Sequence, residues 1–209
     1  IAWYQNGGDG TFGPEQVITT TAFGAQSVFA EDVDGDGDMD VLSASYNDHT
    51  IAWYENDGSQ NFSEHVISSD VQRARSVFAV DVDGDGDIDV LSASEETNEI
   101  AWHDNDGSQN FTKRVITTDA VDASSVFALD MDADGDIDVL SASQTDSKIA
   151  WYKNDGSENF APHTITTAAN GARGIHAVDV DGDGDVDVLS ASFNDDKIAW
   201  YENVAIVDI

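Results

Sequence analysis

Aspartate occurs at alternate positions in four short stretches of the chain, of which DVDGDGDIDV at residues 81–90 is representative. Each stretch has aspartate at its first, third, fifth, seventh and ninth positions and glycine at its sixth. Carboxylates this close together repel one another, so folding around them requires a positive partner. The twenty aspartates are Asp32, Asp34, Asp36, Asp38, Asp40, Asp81, Asp83, Asp85, Asp87, Asp89, Asp130, Asp132, Asp134, Asp136, Asp138, Asp179, Asp181, Asp183, Asp185 and Asp187.

Oxygen ligands at this spacing suit Ca²⁺, which takes roughly 6 to 8 oxygens from a tight loop. Positions 1, 3, 5 and 9 would supply side-chain carboxylates, and position 7 would supply its backbone carbonyl. The glycine at position 6 tolerates the sharp turn that such a loop needs. The sequence therefore predicts about four Ca²⁺ ions. The side chains at position 7 should then point elsewhere, and they are Asp38, Asp87, Asp136 and Asp185.

An EF-hand is the main competing interpretation of these loops, and two features argue against it. An EF-hand places a bidentate glutamate at position 12, where this chain has serine, for example Ser43 and Ser92. The flanking segments also have strand patterns rather than helical ones. Solvated acidic turns without an ion are the other alternative, but four copies with the same spacing and the same glycine favour metal. Four Ca²⁺ ions would change the formal net charge from -34 to -26.

The loops belong to a repeat that runs through the whole chain. The acidic stretch recurs every 49 residues, and the phrase IAW begins at Ile1, Ile51, Ile100, Ile149 and Ile198. A regular period of this length indicates a modular fold in which each unit buries its apolar face against the next.

Within one period the local patterns predict four short strands at 76–82, 87–94, 51–56 and 61–69, with an Asp-Gly turn at 56–59. This all-β pattern favours a β-propeller-type array of four-stranded antiparallel blades, with a parallel β-helix as the alternative. We expect a single repeat domain over 1–209. It would comprise a partial blade at 1–22 and repeat units at about 23–71, 72–120, 121–169 and 170–209.

The stretch SVFAVDVDGDGDIDVLSAS, followed by IAWYENDGSQNF, resembles the FG-GAP/VCBS repeats of integrin-alpha-like calcium-binding β-propellers. The resemblance implies a four-stranded blade with Ca²⁺ in the hairpin between its first two strands, and the ligands carry over onto the aspartates named above. Ala133 departs from the glycine of the other loops, at a position that is not a ligand. The family's roles include adhesion, glycan binding and accessory modules of polysaccharide enzymes, so the family alone does not fix the function.

The third strand of the repeat occurs five times, whereas the first and second strands occur four times. The chain therefore begins in mid-blade, and 204–209 is a candidate for a fifth copy of the fourth strand. The resemblance implies a ring of about seven blades. An open end exposes unpaired backbone, so we expect either missing upstream repeats or strand exchange between subunits, which would give an oligomer or a filament.

Composition excludes several classes of function. With 42 acidic and 8 basic residues, the chain is unsuited to nucleic acid or anionic membranes. It has no cysteine for a disulfide and no apolar stretch of about 18 residues for membrane insertion. The sequence has no recognisable Ser/His/Asp catalytic set, and we predict that the protein is not an enzyme. Because the chain starts at Ile1 rather than Met, we expect a processed form or an excerpt of a longer protein.

Other recurring side chains have structural and functional interpretations. Five tryptophans at one point of the repeat favour packing between neighbouring blades over a platform for sugars. Arg75 and Arg173 could bind an acidic ligand, but we expect them to neutralise nearby aspartates. Asn61 and Asn110 begin N-glycosylation sequons at equivalent places. The tryptophans are Trp3, Trp53, Trp102, Trp151 and Trp200.

These patterns together predict a secreted or cell-surface, calcium-stabilised module without catalysis. Extracellular calcium modules bind with Kd of about 10⁻⁴ to 10⁻³ M, which favours this location. Two roles stay open: a structural or adhesive module that binds protein partners or copies of itself, and a lectin-like module that binds glycans beside a polysaccharide-active enzyme.

Overall fold

The computed structural model describes residues 1–204, which form antiparallel β-sheets. Strands β1 (Ala2–Asn6) and β2 (Phe12–Val17) form a two-stranded sheet. The next sheet comprises β3 (Ala25–Glu31), β4 (Asp40–Ser45), β5 (Thr50–Asn56) and β6 (Phe62–Ser68). A second contains β7 (Ala74–Val80), β8 (Asp89–Ser94), β9 (Glu99–Asn105) and β10 (Phe111–Thr117).

The third four-stranded sheet comprises β11 (Ala123–Leu129), β12 (Asp138–Ser143), β13 (Lys148–Asn154) and β14 (Phe160–Thr166). The last sheet has three strands, β15 (Ala172–Val178), β16 (Asp187–Ser192) and β17 (Lys197–Tyr201). The all-β prediction with four-stranded repeats is confirmed, and individual strands begin and end within about two residues of the predicted bounds. The candidate strand at 204–209 lies, apart from Val204, outside the described residues.

Local chemistry explains why each repeat folds into this sheet. The strands are rich in valine, isoleucine and aromatic residues, which suit a pleated, partly buried surface. Glycine and aspartate fill the turns, where Gly58 has φ of 75° and Asp57 accepts a hydrogen bond from the Ser59 amide. The register recurs between repeats, because Leu42 pairs with Trp53 just as Leu91 pairs with Trp102. Each acidic stretch therefore becomes the loop between the first and second strands of its sheet.

Apolar cores lie between successive sheets rather than within them. The first core joins Leu42, Ile51 and Trp53 of one sheet to Val77 and Val90 of the next, and the other two cores repeat this arrangement. Burial of such side chains contributes roughly 1.5–3 kcal/mol each.

The first strands of neighbouring sheets lie side by side, and their aromatic rings form a continuous row. Ring centroids are 4.6 Å apart between Phe29 and Phe78, and 4.9 Å apart between Phe78 and Phe127. His176 ends the row, with its ring 4.7 Å from Phe127. These four side chains hold the sheets together along one edge of the array.

Candidate metal centres

The structure brings carboxylate oxygens together in every acidic loop. In the loops of the first two four-stranded sheets, positions 1, 3 and 5 place one oxygen each within 4.8 Å of the others. In the last two loops the close groups comprise positions 1, 3 and 9. The groups are Asp32, Asp34 and Asp36; Asp81, Asp83 and Asp85; Asp130, Asp132 and Asp138; and Asp179, Asp181 and Asp187.

The position-7 side chains of the first three loops are not among these close groups. Each lies against the glycine of the turn that joins the third and fourth strands. A Cβ placed on Gly58 would come within 2.5 Å of the Asp38 Oδ2 atom, and one on Gly156 within 2.6 Å of the same atom of Asp136. Asp87 contacts Gly107 in the same way. A side chain at the glycine of that turn would therefore crowd the position-7 carboxylate of the acidic loop.

Backbone geometry explains which loop glycines can be replaced. The position-6 glycines have φ near 96–100°, as in Gly37 and Gly184, a region that a side chain strongly disfavours. At position 4, Gly35 has φ of 74° and Ala133 has φ of 60°. The latter value lies in the left-handed helical region, which a non-glycine residue can enter at a cost of roughly 1–2 kcal/mol. The third loop therefore keeps its shape despite the alanine.

The position-9 aspartate links each loop to the third strand of its sheet. Asp40 is fully buried, and it accepts hydrogen bonds from the amides of Val33 at 3.1 Å and Asn56 at 2.7 Å. The Asn56 side chain donates in turn to the Met39 carbonyl at 3.1 Å. Equivalent amide bonds reach the other position-9 carboxylates from Asn105, Asn154 and Asn203. These asparagines were not predicted from the sequence, although each stands 16 residues after its aspartate.

The tryptophan of the third strand lies beside the same carboxylate. Trp53 and Trp102 are 3% and 1% exposed, and their buried indole N–H groups have no acceptor in ordinary hydrogen-bond geometry. Each indole nevertheless lies close enough to stabilise the position-9 carboxylate. A side chain from the fourth strand covers the outer indole face: His65 stacks on Trp53 at 4.6 Å, and Arg114 lies 4.9 Å from the Trp102 ring. These two tryptophans are core residues, as predicted, and are not accessible to a sugar.

Burial and repulsion between neighbouring carboxylates raise the pKa of several loop carboxyls. Burial raises the pKa of Asp89 to about 7, against the opposing hydrogen bonds from the Asn105 and Val82 amides. Burial also raises the pKa of Asp34 and of Asp83, and neighbouring carboxylates add to both shifts. A bound cation would offset this repulsion by favouring the ionised form of every ligand.

The third loop differs because a lysine reaches into it. Lys153 contacts Asp132 and lies 3.1 Å from Asp134, nitrogen to oxygen. Hydrogen bonds to these two carboxylates raise the pKa of the lysine. The equivalent residues of the first two sheets are Glu55 and Asp104, whose charges raise the pKa of the position-3 aspartates.

The donor set fits a hard divalent cation. The groups offer carboxylate oxygens, which are donors that Ca²⁺ prefers. In the first loop, the Oδ1 atom of Asp32 is buried and has no hydrogen-bond partner. A buried acceptor without a partner is costly, and a cation among the three nearby carboxylates would satisfy it.

The remaining candidate residues have structural partners. Arg75 contacts Glu95 and lies 4.7 Å from the Tyr46 ring, while Arg173 lies 4.3 Å from the ring of Phe193. The expectation that these arginines neutralise loop aspartates is therefore wrong, because their contacts lie at the opposite end of the strands. The sequon asparagines are exposed, and their amides donate to turn aspartates, as Asn61 does to Asp57 at 2.8 Å.

A serine–histidine pair also occurs, but it is buried. The Ser92 Oγ atom lies 2.9 Å from His103 Nε2, and both side chains are 1% exposed. A nucleophile here could not reach a substrate. The second sheet has a histidine where the third has Tyr152, which makes the equivalent contact with Ser141 at 3.1 Å.

The FG-GAP-like repeat model matches residues 1–43, 32–92, 81–141 and 130–190. The chain therefore belongs to the FG-GAP-like repeat family. No protein of curated function matches the sequence.

Solved structures similar to this chain include the following two. One is the biofilm matrix protein Bap1 of V. cholerae, with a TM-score of 0.47 and 21% identity over 84% of this chain and 30% of that one. The other is an exo-beta-1,3-galactanase from Phanerochaete chrysosporium, bound to beta-1,3-galactotriose. It has a TM-score of 0.50 and 13% identity over 82% of this chain and 44% of that one. The chain thus spans less than half the length of either protein, and the galactanase likeness concerns the fold alone. No helix among residues 1–204 is long and apolar enough to cross a membrane.

Proposed function

We propose that this protein is an extracellular, non-enzymatic structural or adhesive module that about four Ca²⁺ ions stabilise. The observation that carries the proposal is that three carboxylates in each of the four acidic loops offer oxygens within 4.8 Å of one another. The ligands are the side chains at positions 1, 3, 5 and 9 and the carbonyl at position 7 of each loop. A role outside the cell follows from the millimolar calcium found there, which sites of this type use.

We propose that the sheets are the blades of a β-propeller-type array, with 1–209 as one repeat domain and the unit boundaries given above. The close ring contacts between first strands support this arrangement. A cleft of about 560 Å³ opens further out, between the fourth strand of one sheet and the turn and fourth strand of the next. Sheets that touch at their first strands and separate at their fourth strands diverge like blades.

The proposed partners are other proteins or copies of this chain. Each sheet already presents its apolar face to another sheet of the same kind, so packing between such sheets is the contact that this fold makes best. Two of the aromatic side chains that could stack on glycans, Trp53 and Trp102, are buried, which favours the structural role over a lectin-like one.

Thermal melting tests the calcium proposal. Binding to the native state at 100 times Kd stabilises it by about 2.7 kcal/mol per site. Melts in millimolar Ca²⁺ and in EGTA should therefore differ by many degrees. The same concentration of Mg²⁺ should raise the melting temperature less, because Mg²⁺ requires octahedral geometry and keeps several of its water ligands. Superimposable curves in Ca²⁺ and EGTA would contradict the proposal.

A further inference from the structure

The cleft of about 560 Å³ between the β3–β6 and β7–β10 sheets, here called the first cleft, is strongly acidic. Three carboxylates line it, those of Asp34, Glu55 and Glu64. Among residues 1–204, His65 is the only basic side chain that pairs with any of the three, and its Nε2 atom lies 2.8 Å from Glu55 Oε2. The first cleft therefore has an excess of negative charge.

The equivalent cleft between the β7–β10 and β11–β14 sheets, here called the second cleft, is spanned by an arginine. Arg114 extends from β10, and its guanidinium lies 2.5 Å from Asp104 Oδ2 on its own sheet. It also lies 2.5 Å from Glu158 Oε2, in the turn between β13 and β14 of the next sheet. The guanidinium carbon is 4.9 Å from the centroid of the Trp102 ring. Carboxylates on both walls and an indole ring thus hold one guanidinium group.

The first cleft has a histidine where the second has this arginine. The register places His65 opposite Trp53, just as it places Arg114 opposite Trp102. The imidazole stacks on the indole with ring centroids 4.6 Å apart, and among residues 1–204 it hydrogen-bonds to Glu55 alone. Because histidine is shorter than arginine, this side chain ends on its own sheet. The place that the far end of the guanidinium takes in the second cleft is therefore open in the first.

Hydrogen-bond acceptors line this open place on both walls. Gln109 stands on the far wall, 49 residues before Glu158, and its amide oxygen can accept a hydrogen bond. Glu55 and Glu64 lie on the near wall. A guanidinium group carries five N–H donors in a planar fork, which suits carboxylate and amide oxygens on two sides. Asp34 belongs to the acidic loop, so the site does not depend on it.

We propose that the first cleft binds an arginine side chain of another protein, with the guanidinium between Glu55 and Gln109 and with Glu64 adding negative charge. The contacts of Arg114 in the second cleft support this choice, because the same walls accept a guanidinium there. The proposal deepens the adhesive role proposed above, rests on it, and gives the chemical class of the partner.

The chain's own arginines have other contacts, so the partner is a different protein. Arg73 and Arg75 pair with Glu95, Arg114 spans the second cleft, and Arg173 lies 4.3 Å from an aromatic ring of its own sheet. A second copy would also carry the same net charge of -34 and would be repelled. A basic protein with an exposed arginine would be attracted by that charge.

Proton–nitrogen NMR titration in millimolar Ca²⁺ tests the proposal with a blocked Gly-Gly-Arg-Gly-Gly peptide. We expect saturable shifts of the Trp53 indole N–H and the Gln109 side-chain amide, with a Kd of about 1 mM. The matching peptide with lysine has the same charge and should bind at least about threefold more weakly, because an ammonium group cannot make the paired hydrogen bonds of a guanidinium.

Exchanging the residues of the two clefts gives the sharpest test. His65→Arg supplies the first cleft with its own guanidinium and should abolish the peptide-induced shift at Trp53. Arg114→His should open the second cleft and add a second site, which the indole N–H of Trp102 reports. His163→Arg is the matched control, because it makes the same substitution at the equivalent place of the third four-stranded sheet and should leave the shift at Trp53 unchanged.

Four results would each overturn the proposal. They are the absence of a saturable shift at Trp53, equal affinity for the two peptides, undiminished binding to His65→Arg, and Arg114→His without a second site. Thermal melting of the same samples in Ca²⁺ and in EGTA reports separately on the calcium sites, so a failure of the calcium proposal is distinguishable from a failure of this one.

Discussion

The second and third four-stranded sheets share strand order and register, yet three of the residues that differ between them lie in or beside the acidic loop or in the core. His103, Asp104 and Gly84 of the second sheet correspond to Tyr152, Lys153 and Ala133 of the third. The position-9 aspartate, its asparagine partner and the position-6 glycine are the same in both. The shape of the loop therefore depends on backbone geometry and a few buried hydrogen bonds. The charge around the loop is set by neighbouring side chains and can change without altering the fold.

The largest expected difference between the two sheets is in stability at acid pH. Burial lowers the pKa of His103 from 6.5 to about 4, so protonation favours the unfolded chain between these values. The contribution of the neutral His103 imidazole to the free energy of unfolding is fully present above about pH 6.5 and is lost as pH falls towards 4. The loss in the free energy of unfolding is roughly 3 kcal/mol.

Exchanging the two residues measures this effect directly. Between pH 7 and about pH 4, in urea unfolding without added calcium, His103→Tyr should lose less stability than wild type. Tyr152→His should lose more. Comparing the change with pH in each variant removes the contribution of the aspartates common to all. Equal pH dependence in the three proteins would show that the buried imidazole is not responsible.

The next largest expected effect is on Ca²⁺ affinity, and it depends on which position of the second loop is substituted. Asp85→Ala removes a proposed side-chain ligand, whereas Asp87→Ala keeps the backbone carbonyl that position 7 is proposed to supply. We expect roughly tenfold to hundredfold weaker Ca²⁺ binding at this loop for Asp85→Ala and a much smaller loss for Asp87→Ala. Calcium titrations of both variants check this. Similar losses would mean that the ligand register is wrong.

The lysine of the third loop should weaken its calcium site, because Lys153 already neutralises two of the carboxylates. Lys153→Glu reproduces the first sheet, where Glu55 occupies this place, and should tighten binding roughly tenfold. Glu55→Lys is the reciprocal control and should weaken the first site by a similar factor. If neither exchange changes the Ca²⁺ affinity of its own loop, the charge at this position does not cause a difference between the sheets.

The smallest expected effect comes from the backbone of the third loop. Ala133 has φ of 60°, so Ala133→Gly should relieve strain and stabilise the protein by up to about 1 kcal/mol. Gly84→Ala should destabilise the second loop by a similar amount. Chemical denaturation in saturating Ca²⁺ measures both changes. A destabilising Ala133→Gly would show that the methyl group has a packing role.

Sequence patterns predicted the repeat, the strands and the aspartates that meet in each loop, because these depend on local spacing and turn chemistry. The fixed period also made Trp53 and Trp102 recognisable as packing residues. The partners of the position-9 aspartate were missed because the amide of Asn105 reaches Asp89 from another strand. The contacts of Arg75 and Lys153 were missed for the same reason, since they depend on which side chains the register brings together.

The most direct test of the account is calorimetric titration of Ca²⁺ into the chelator-stripped chain. We expect about four bound ions per chain, with the third loop binding most weakly and its affinity rising in Lys153→Glu. Ca²⁺ should give a binding signal at concentrations where Mg²⁺ gives little response. No detectable Ca²⁺ binding, or saturation at a single ion per chain, would contradict the claim that the four loops are metal centres.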